Sequence, residues 1–130
     1  MTAPVQHYKD LIVWQKAMDL VCLIYEVTKG FPKDELYGLT NQLRRAVVSV
    51  PSNIAEGLAR KSTTEYRNFL SIARGSMAEV ETQLMIASRL NYLRKSQLPE
   101  IMVVHDEVSR MISALMTKLT KIIAQQNTRP

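Results

Sequence analysis

Apolar residues return every three or four positions along four stretches of this chain, and Gly, Pro or Ser punctuates the gaps between them. That period is the signature of amphipathic helices. The first runs from about Leu11 to Lys29, with Trp14, Ala17, Met18, Val21, Ile24, Tyr25 and Thr28 on one stripe. Gly30 and Pro32 stop it. The second runs from about Asp34 to Gly57 on Leu36, Leu39, Leu43, Val47, Val50 and Ile54. Asp34 and Glu35 suit its positive end, and Gly57 suits a C-terminal cap. Pro51 lies inside the pattern. It removes a backbone donor and crowds the preceding turn, so a kink is expected near Val48 to Pro51 within one helix.

The third stretch runs from about Thr63 to Leu93, with Tyr66, Phe69, Leu70, Ala73, Met77, Val80, Leu84, Ala87 and Leu90 facing one way. Ser62 and Glu65 have capping-box spacing. The fourth runs from about Leu98 to Gln125, on Ile101, Val104, Val108, Met111, Ile112, Leu115, Leu119 and Ile122. Ser96 is its expected N-cap, and Pro99 is tolerated in a first turn. Short links between long helices make antiparallel neighbours. The expected fold is therefore all-α: one domain over residues 1–130, an up-down-up-down four-helix bundle with the second helix kinked at Pro51.

The apolar faces are wider than a lone bundle needs. Met102, Met116 and Ile123 form a second column on the fourth helix. Ile72, Ile86 and Leu93 flank the third around Glu79, and Tyr37, Val48 and Ala55 leave the main stripe of the second. Scattered surface apolars are normal, but columns at heptad spacing point to a homo-oligomer.

Composition narrows the class. The chain has 130 residues, four glycines and five prolines, too few turn signals for a β-sandwich. Its one cysteine, Cys22, lies in an apolar stretch and reads as an inert core thiol in a reducing, cytoplasmic setting. No apolar run is long enough to span a bilayer.

Candidate chemistry is sparse. A di-metal carboxylate site in a bundle needs Glu-x-x-His steps, and neither His7 nor His105 follows a glutamate by three. His105 reads as a surface or interface residue. Glu56 and Glu79 as an acid–base pair is a weaker reading than salt bridges to Arg44, Arg45 or Arg74. There is no phosphate loop, Cys-x-x-Cys pair or nucleophile elbow. The chain is thus expected to be non-enzymatic, with no cofactor and no metal.

Charge is the remaining lead. With 17 basic and 12 acidic residues the net charge is +5. Arg44, Arg45, Arg60, Lys61, Arg67 and Arg74 gather on the second helix, the following turn and the start of the third, where they would meet phosphates of RNA or DNA. A solvated helix surface explains them about as well, because Glu56, Glu65 and Glu81 are interspersed.

Three segments carry a resemblance: DLIVWQKAMDL in the first helix, FPKDELYGLTNQLRRAVVSVPSNIAEG across the second, and FLSIARGSMAEVETQL in the third. From about Tyr8 to Leu93 the chain resembles the four-helix-bundle family encoded in intervening sequences of bacterial 23S ribosomal RNA genes. The most specific piece is Asn53, Ile54, Ala55, Glu56 and Gly57, preceded by Gln42 to Ala46. The resemblance implies a bundle and a ring-like homopentamer. A group similar in fold, the accessory proteins of diversity-generating retroelements, works with a reverse transcriptase and nucleic acid. The resulting expectation is a homo-oligomeric scaffold that binds nucleic acid, RNA favoured, through surface arginines. The alternative is an interaction module that docks a partner enzyme such as a polymerase. The motif itself reads as structural: Ser49, Ser52 or Asn53 relieves the backbone freed by Pro51, Glu56 salt-bridges an arginine, and Gly75 and Ser76 permit close helix approach.

Overall fold

The computed structural model describes residues 7–128. After a 3₁₀ turn at Tyr8–Asp10 come four helices: α1 (Ile12–Thr28), α2 (Asn41–Ala59), α3 (Thr63–Arg89) and α4 (Gln97–Asn127). Helices α1–α2, α2–α3, α3–α4 and α4–α1 pack side by side, and the α2–α3 pairing is the most extensive. The expected four-helix bundle is what the chain forms.

The core is a single apolar cluster. Leu20 and Ile24 from α1, Leu43, Val47, Val50 and Ile54 from α2, Leu70, Val80 and Leu84 from α3, and Val108 and Ile112 from α4 are fully buried in it. Side chains of this size each contribute about 1.5–3 kcal/mol on burial, which makes the stripe the main source of fold stability.

Two core positions correct the sequence expectations. His105 is buried, 4% exposed, with Nε2 2.8 Å from the Met77 carbonyl of α3. It therefore fastens α4 to α3 from inside the core, where the sequence reading put it at the surface. Met116, assigned to an outer column, is also buried. Cys22 differs in the opposite sense: its thiol is exposed. On α1 the buried stripe is Val13, Ala17, Leu20, Ile24 and Thr28, rotated from the expected one, and Met18 and Tyr25 lie outside.

The helix ends also depart from expectation. The region before α2 is a 3₁₀ turn at Lys33–Glu35 and a π turn at Leu36–Thr40, with Gly38 at φ −113°, ψ −114°. Glu35 fixes this turn. Its Oε1 accepts from the Leu39 amide at 3.3 Å, and its Oε2 accepts from the Tyr92 hydroxyl at 2.8 Å. Helix α2 then runs unbroken through Pro51 and past Gly57 to Ala59. Lys61, at φ 58°, turns the chain toward α3. Ser62 caps α3 by accepting from the Glu65 amide at 3.2 Å, as expected.

Helix α3 stops at Arg89, four residues short of the expected end. Asn91 takes a left-handed φ of 62°. The Tyr92 amide donates to the Ala87 carbonyl and the Asn91 amide to the Ser88 carbonyl, at 2.9 and 3.1 Å. This is a Schellman closure with asparagine in the glycine position. Tyr92 is thereby returned to the core, where its ring lies 5.5 Å from that of Phe31. Ser96 precedes α4 but makes no side-chain cap; Gln97 instead accepts from the Arg94 amide at 2.7 Å. An ion pair between Lys16 and Glu107, 2.9 Å, ties α1 to α4. The hydrogen bond to Glu107 raises the Lys16 pKa.

Candidate nucleic-acid interface

The six basic residues singled out by the sequence do not form one patch. Arg44 turns toward α1. Its Nε donates to Thr28 Oγ1 at 2.8 Å, and its guanidinium stands 4.7 Å from the Tyr25 ring centroid. Thr28 is buried and itself donates to the Ile24 carbonyl at 2.8 Å. Arg44 is thus a clamp between α1 and α2. Arg67 turns toward α4, where its Nε donates to Thr120 Oγ1 at 2.6 Å. Arg60 pairs with Glu56 one turn earlier at 2.7 Å and lies 5.2 Å from the Phe69 ring centroid. Its charge is largely matched within the fold.

Arg45, Lys61 and Arg74 are different. All three are exposed, and none makes a hydrogen bond or ion pair among the described residues. They come from α2, the α2–α3 turn and α3. The uncompensated part of the cluster is therefore carried by α2, α3 and the turn that joins them.

The motif Asn53 to Gly57 builds the junction between the same two helices. Ser52 Oγ donates to the Val48 carbonyl, and Asn53 Nδ2 donates to the Ser49 carbonyl and hydroxyl, at 2.8, 2.8 and 2.9 Å. The carbonyl freed by Pro51 belongs to Val47, so these bonds brace the adjacent turn, not the freed atom itself. Ser49 Oγ and Ser76 Oγ then meet across the α2–α3 contact at 2.9 Å. Ile54 is in the core, and Glu56 pairs with Arg60 in place of the arginines expected from sequence.

Gly57 is the tightest point. A Cβ there would stand 2.8 Å from Phe69 Cβ and 3.0 Å from Tyr66 Cδ1. Its role is close approach of α2 to α3, where the sequence reading made it a cap. Gly75 has the reverse correction: nothing lies within 4 Å of its Cβ position. Of the Gly75–Ser76 pair, Ser76 alone makes the helix contact. Beside Gly57 the Tyr66 hydroxyl is buried without a partner, and burial raises its pKa.

Two grooves border α2. On its α1 side an apolar one of about 520 Å³ is lined by Tyr8, Trp14, Met18, Val21, Val48 and Pro51, among others. On its α3 side a polar one of about 360 Å³ includes Asn41, Gln42, Arg45, Ser49, Glu79 and Gln83. Neither groove was visible in the sequence, since each is made by two helices. Among the described residues, no group of three or more His, Cys, Asp or Glu side chains is placed to hold a metal ion, and no helix is long and apolar enough to cross a membrane.

The model of the 23S rRNA-intervening sequence proteins matches residues 9–114. The chain belongs to that family. Helix α4 is included as far as Ala114, beyond the Leu93 limit of the sequence resemblance. A solved structure from Bacteroides thetaiotaomicron, a protein of unknown function from the S23 ribosomal protein family, has the same fold. It superposes with a TM-score of 0.75 at 22% identity, covering 81% of this chain and 98% of that one. None of the curated proteins matches.

Proposed function

We propose that this member of the 23S rRNA-intervening sequence family is a non-enzymatic, homo-oligomeric scaffold. It binds nucleic acid, RNA in preference to DNA, through basic side chains on the α2–α3 side. The observation that carries the reading is the split among the six basic residues. Arg44, Arg60 and Arg67 are used by the fold, whereas Arg45, Lys61 and Arg74, on α2, the α2–α3 turn and α3, are exposed and uncompensated. Free cations grouped in this way can displace counterions from a phosphate backbone.

Self-assembly is supported by two unlike apolar surfaces. The α1–α2 groove is concave, and Ile72 and Ile86 stand exposed on α3 at 52% and 44%. Unlike patches meet head to tail, and such contacts close into rings when the rotation permits. A pentameric ring is the assembly expected on family grounds, and light scattering at about five chain masses tests it.

The binding test is a titration of labelled structured RNA and duplex DNA at about 50 and about 200 mM salt, with the native chain and an Arg45→Gln, Lys61→Gln, Arg74→Gln variant. Losing three phosphate contacts lowers the salt slope on these ligands by about 2 to 3. An unchanged affinity and slope overturns the reading.

The apolar α1–α2 groove favours a second reading, in which the assembly docks a partner enzyme such as a polymerase and does not itself touch nucleic acid. A stoichiometric partner retained after nuclease treatment and lost on Met18→Glu supports it. Recovery of the chain alone counts against it.

A further inference from the structure

The groove between α2 and α3 contains polar groups that the fold leaves unused. The carboxamide oxygen of Gln83 is buried and accepts no hydrogen bond among the described residues. One turn earlier on α3, Glu79 lines the same groove and makes no ion pair among the described residues. Across from them Arg45 lines the α2 wall, with Asn41 one turn before it. Arg45 and Glu79 carry opposite charges in one groove and are not bridged. The Ser49–Ser76 hydroxyl contact at 2.9 Å satisfies those two groups with each other. Ile72 and Ile86 lie seven residues to either side of Glu79 and are exposed, so the carboxylate sits between two apolar side chains on one strip of α3.

The charged groups of the two walls differ in hydrogen-bonding sense, while Asn41 and Gln42 on α2 and the Gln83 amide on α3 can each donate and accept. On α3, Glu79 and the Gln83 oxygen are acceptors. On α2, the Arg45 guanidinium has five donors and no acceptor. A neutral, planar ligand with donors on one edge and acceptors on another matches this division. Neither a simple anion nor a simple cation does. Guanine has that pattern: N1–H and N2–H₂ donate on one edge, and O6 and N7 accept on the other, the pair that arginine reads in a bidentate way. Unstacked bases of single-stranded RNA present both edges at once.

We propose that the α2–α3 groove is a binding site for one unstacked guanine, with Glu79 and Gln83 accepting from its N1–H and N2–H₂ and Arg45 donating to O6 and N7. This deepens the nucleic-acid reading and rests on it for the source of the base. The base contacts themselves need no phosphate.

The test is an NMR titration of ¹⁵N-labelled protein with GMP, IMP, 7-deaza-GMP, AMP and CMP, run beside the RNA salt titration above. IMP lacks the N2 amino group and 7-deaza-GMP lacks the N7 acceptor. GMP is expected to shift the Gln83 side-chain amide and the Arg45 Nε–H, and to bind tighter than each of the others by about 5- to 150-fold, the value of one bidentate base contact. Glu79→Gln is expected to abolish the preference over IMP, and Arg45→Lys the preference over 7-deaza-GMP. Equal affinity for GMP and AMP, or shifts confined to other surfaces, overturns the groove assignment. Salt-steep RNA binding with no guanine preference removes the groove and keeps the general nucleic-acid reading. GMP binding in the groove without salt-steep RNA binding does the reverse.

Discussion

Gly57→Ala, in the last turn of α2, and Gly75→Ala, in the middle of α3, are the same chemical change, and the structure assigns them opposite signs. In each case alanine gains about 0.5–1 kcal/mol over glycine from backbone entropy. At Gly75 nothing opposes that gain, because no atom lies within 4 Å of the added Cβ. At Gly57 the new methyl meets Phe69 Cβ at 2.8 Å, Tyr66 Cδ1 at 3.0 Å and the Tyr66 carbonyl at 3.3 Å. Phe69 Cβ cannot swing aside as a side-chain tip would, so α2 and α3 must separate by a few tenths of an ångström. Overpacking of this kind costs about 1–3 kcal/mol. The expected net is a loss of about 1–2 kcal/mol for Gly57→Ala and a gain of about 0.5–1 kcal/mol for Gly75→Ala. Urea midpoints at one fixed protein concentration measure both, since any assembly would make stability concentration-dependent. If Gly57→Ala is stabilised as much as Gly75→Ala, Gly57 is not a packing junction and the account of the Asn53–Gly57 motif fails.

Three further outcomes follow from contacts already described. Thr28→Val keeps the side-chain volume but leaves the Arg44 Nε without its buried acceptor, and the urea midpoint should show a loss of about 1–2 kcal/mol; an unchanged midpoint would remove Arg44 from the α1–α2 clamp. Tyr92 donates to Glu35, and chiefly through that hydrogen bond its pKa is raised above the ordinary tyrosine range, as burial raises that of Tyr66. The unfolded chain therefore releases these protons first, and stability is retained below about pH 10 and falls as pH rises beyond it. Tyr92→Phe should flatten that alkaline decline, and identical slopes for variant and native chain between about pH 9 and 11 would contradict the coupling. The exposed Cys22 thiol should react with a disulfide reagent in native buffer; a requirement for denaturant in the dilute chain would contradict its exposure, whereas protection only at high concentration would place that face of α1 in a subunit contact.

The bundle was legible because its signal is redundant: each helix repeats its apolar period over about four turns or more, and no single residue decides it. The errors fall where one residue does decide. The stop after α3 depends on Asn91 accepting φ 62°, which the uninterrupted pattern through Leu90 and Leu93 concealed. The start of α2 depends on the Glu35 carboxylate capping Leu39 and on the off-helix Gly38. His105 shows a different failure. Its spacing from Ile101 and Val108 placed it on the buried stripe, but its polarity argued for solvent. Only the Met77 carbonyl, brought within 2.8 Å by α3, makes its burial tolerable. A polar residue in register with a core stripe is a signal that period alone would have caught.

The basic cluster was half legible for a related reason. Sequence proximity gathered Arg44, Arg45, Arg60, Lys61, Arg67 and Arg74, but neighbours on a helix point in different directions. Arg44 and Arg45 are adjacent, yet one clamps Thr28 and the other lines the α2–α3 groove. What separates a structural arginine from an available one is its partner, and the partners lie 16 residues away for Arg44 and 53 for Arg67. The same long-range contact defines the polar groove. Gln83 has no distinguishing sequence context, and its significance comes from an oxygen left buried and unpaired beside Glu79 and opposite Arg45. Phosphate affinity through Lys61 and Arg74 does not depend on that groove, whereas Arg45 lines it. Base preference needs the acceptor wall of α3 held at a fixed distance from the donor wall of α2, and Gly57, Ser49 and Ser76 set that distance. The family motif therefore bears on specificity through helix spacing even though none of its five residues lines the groove.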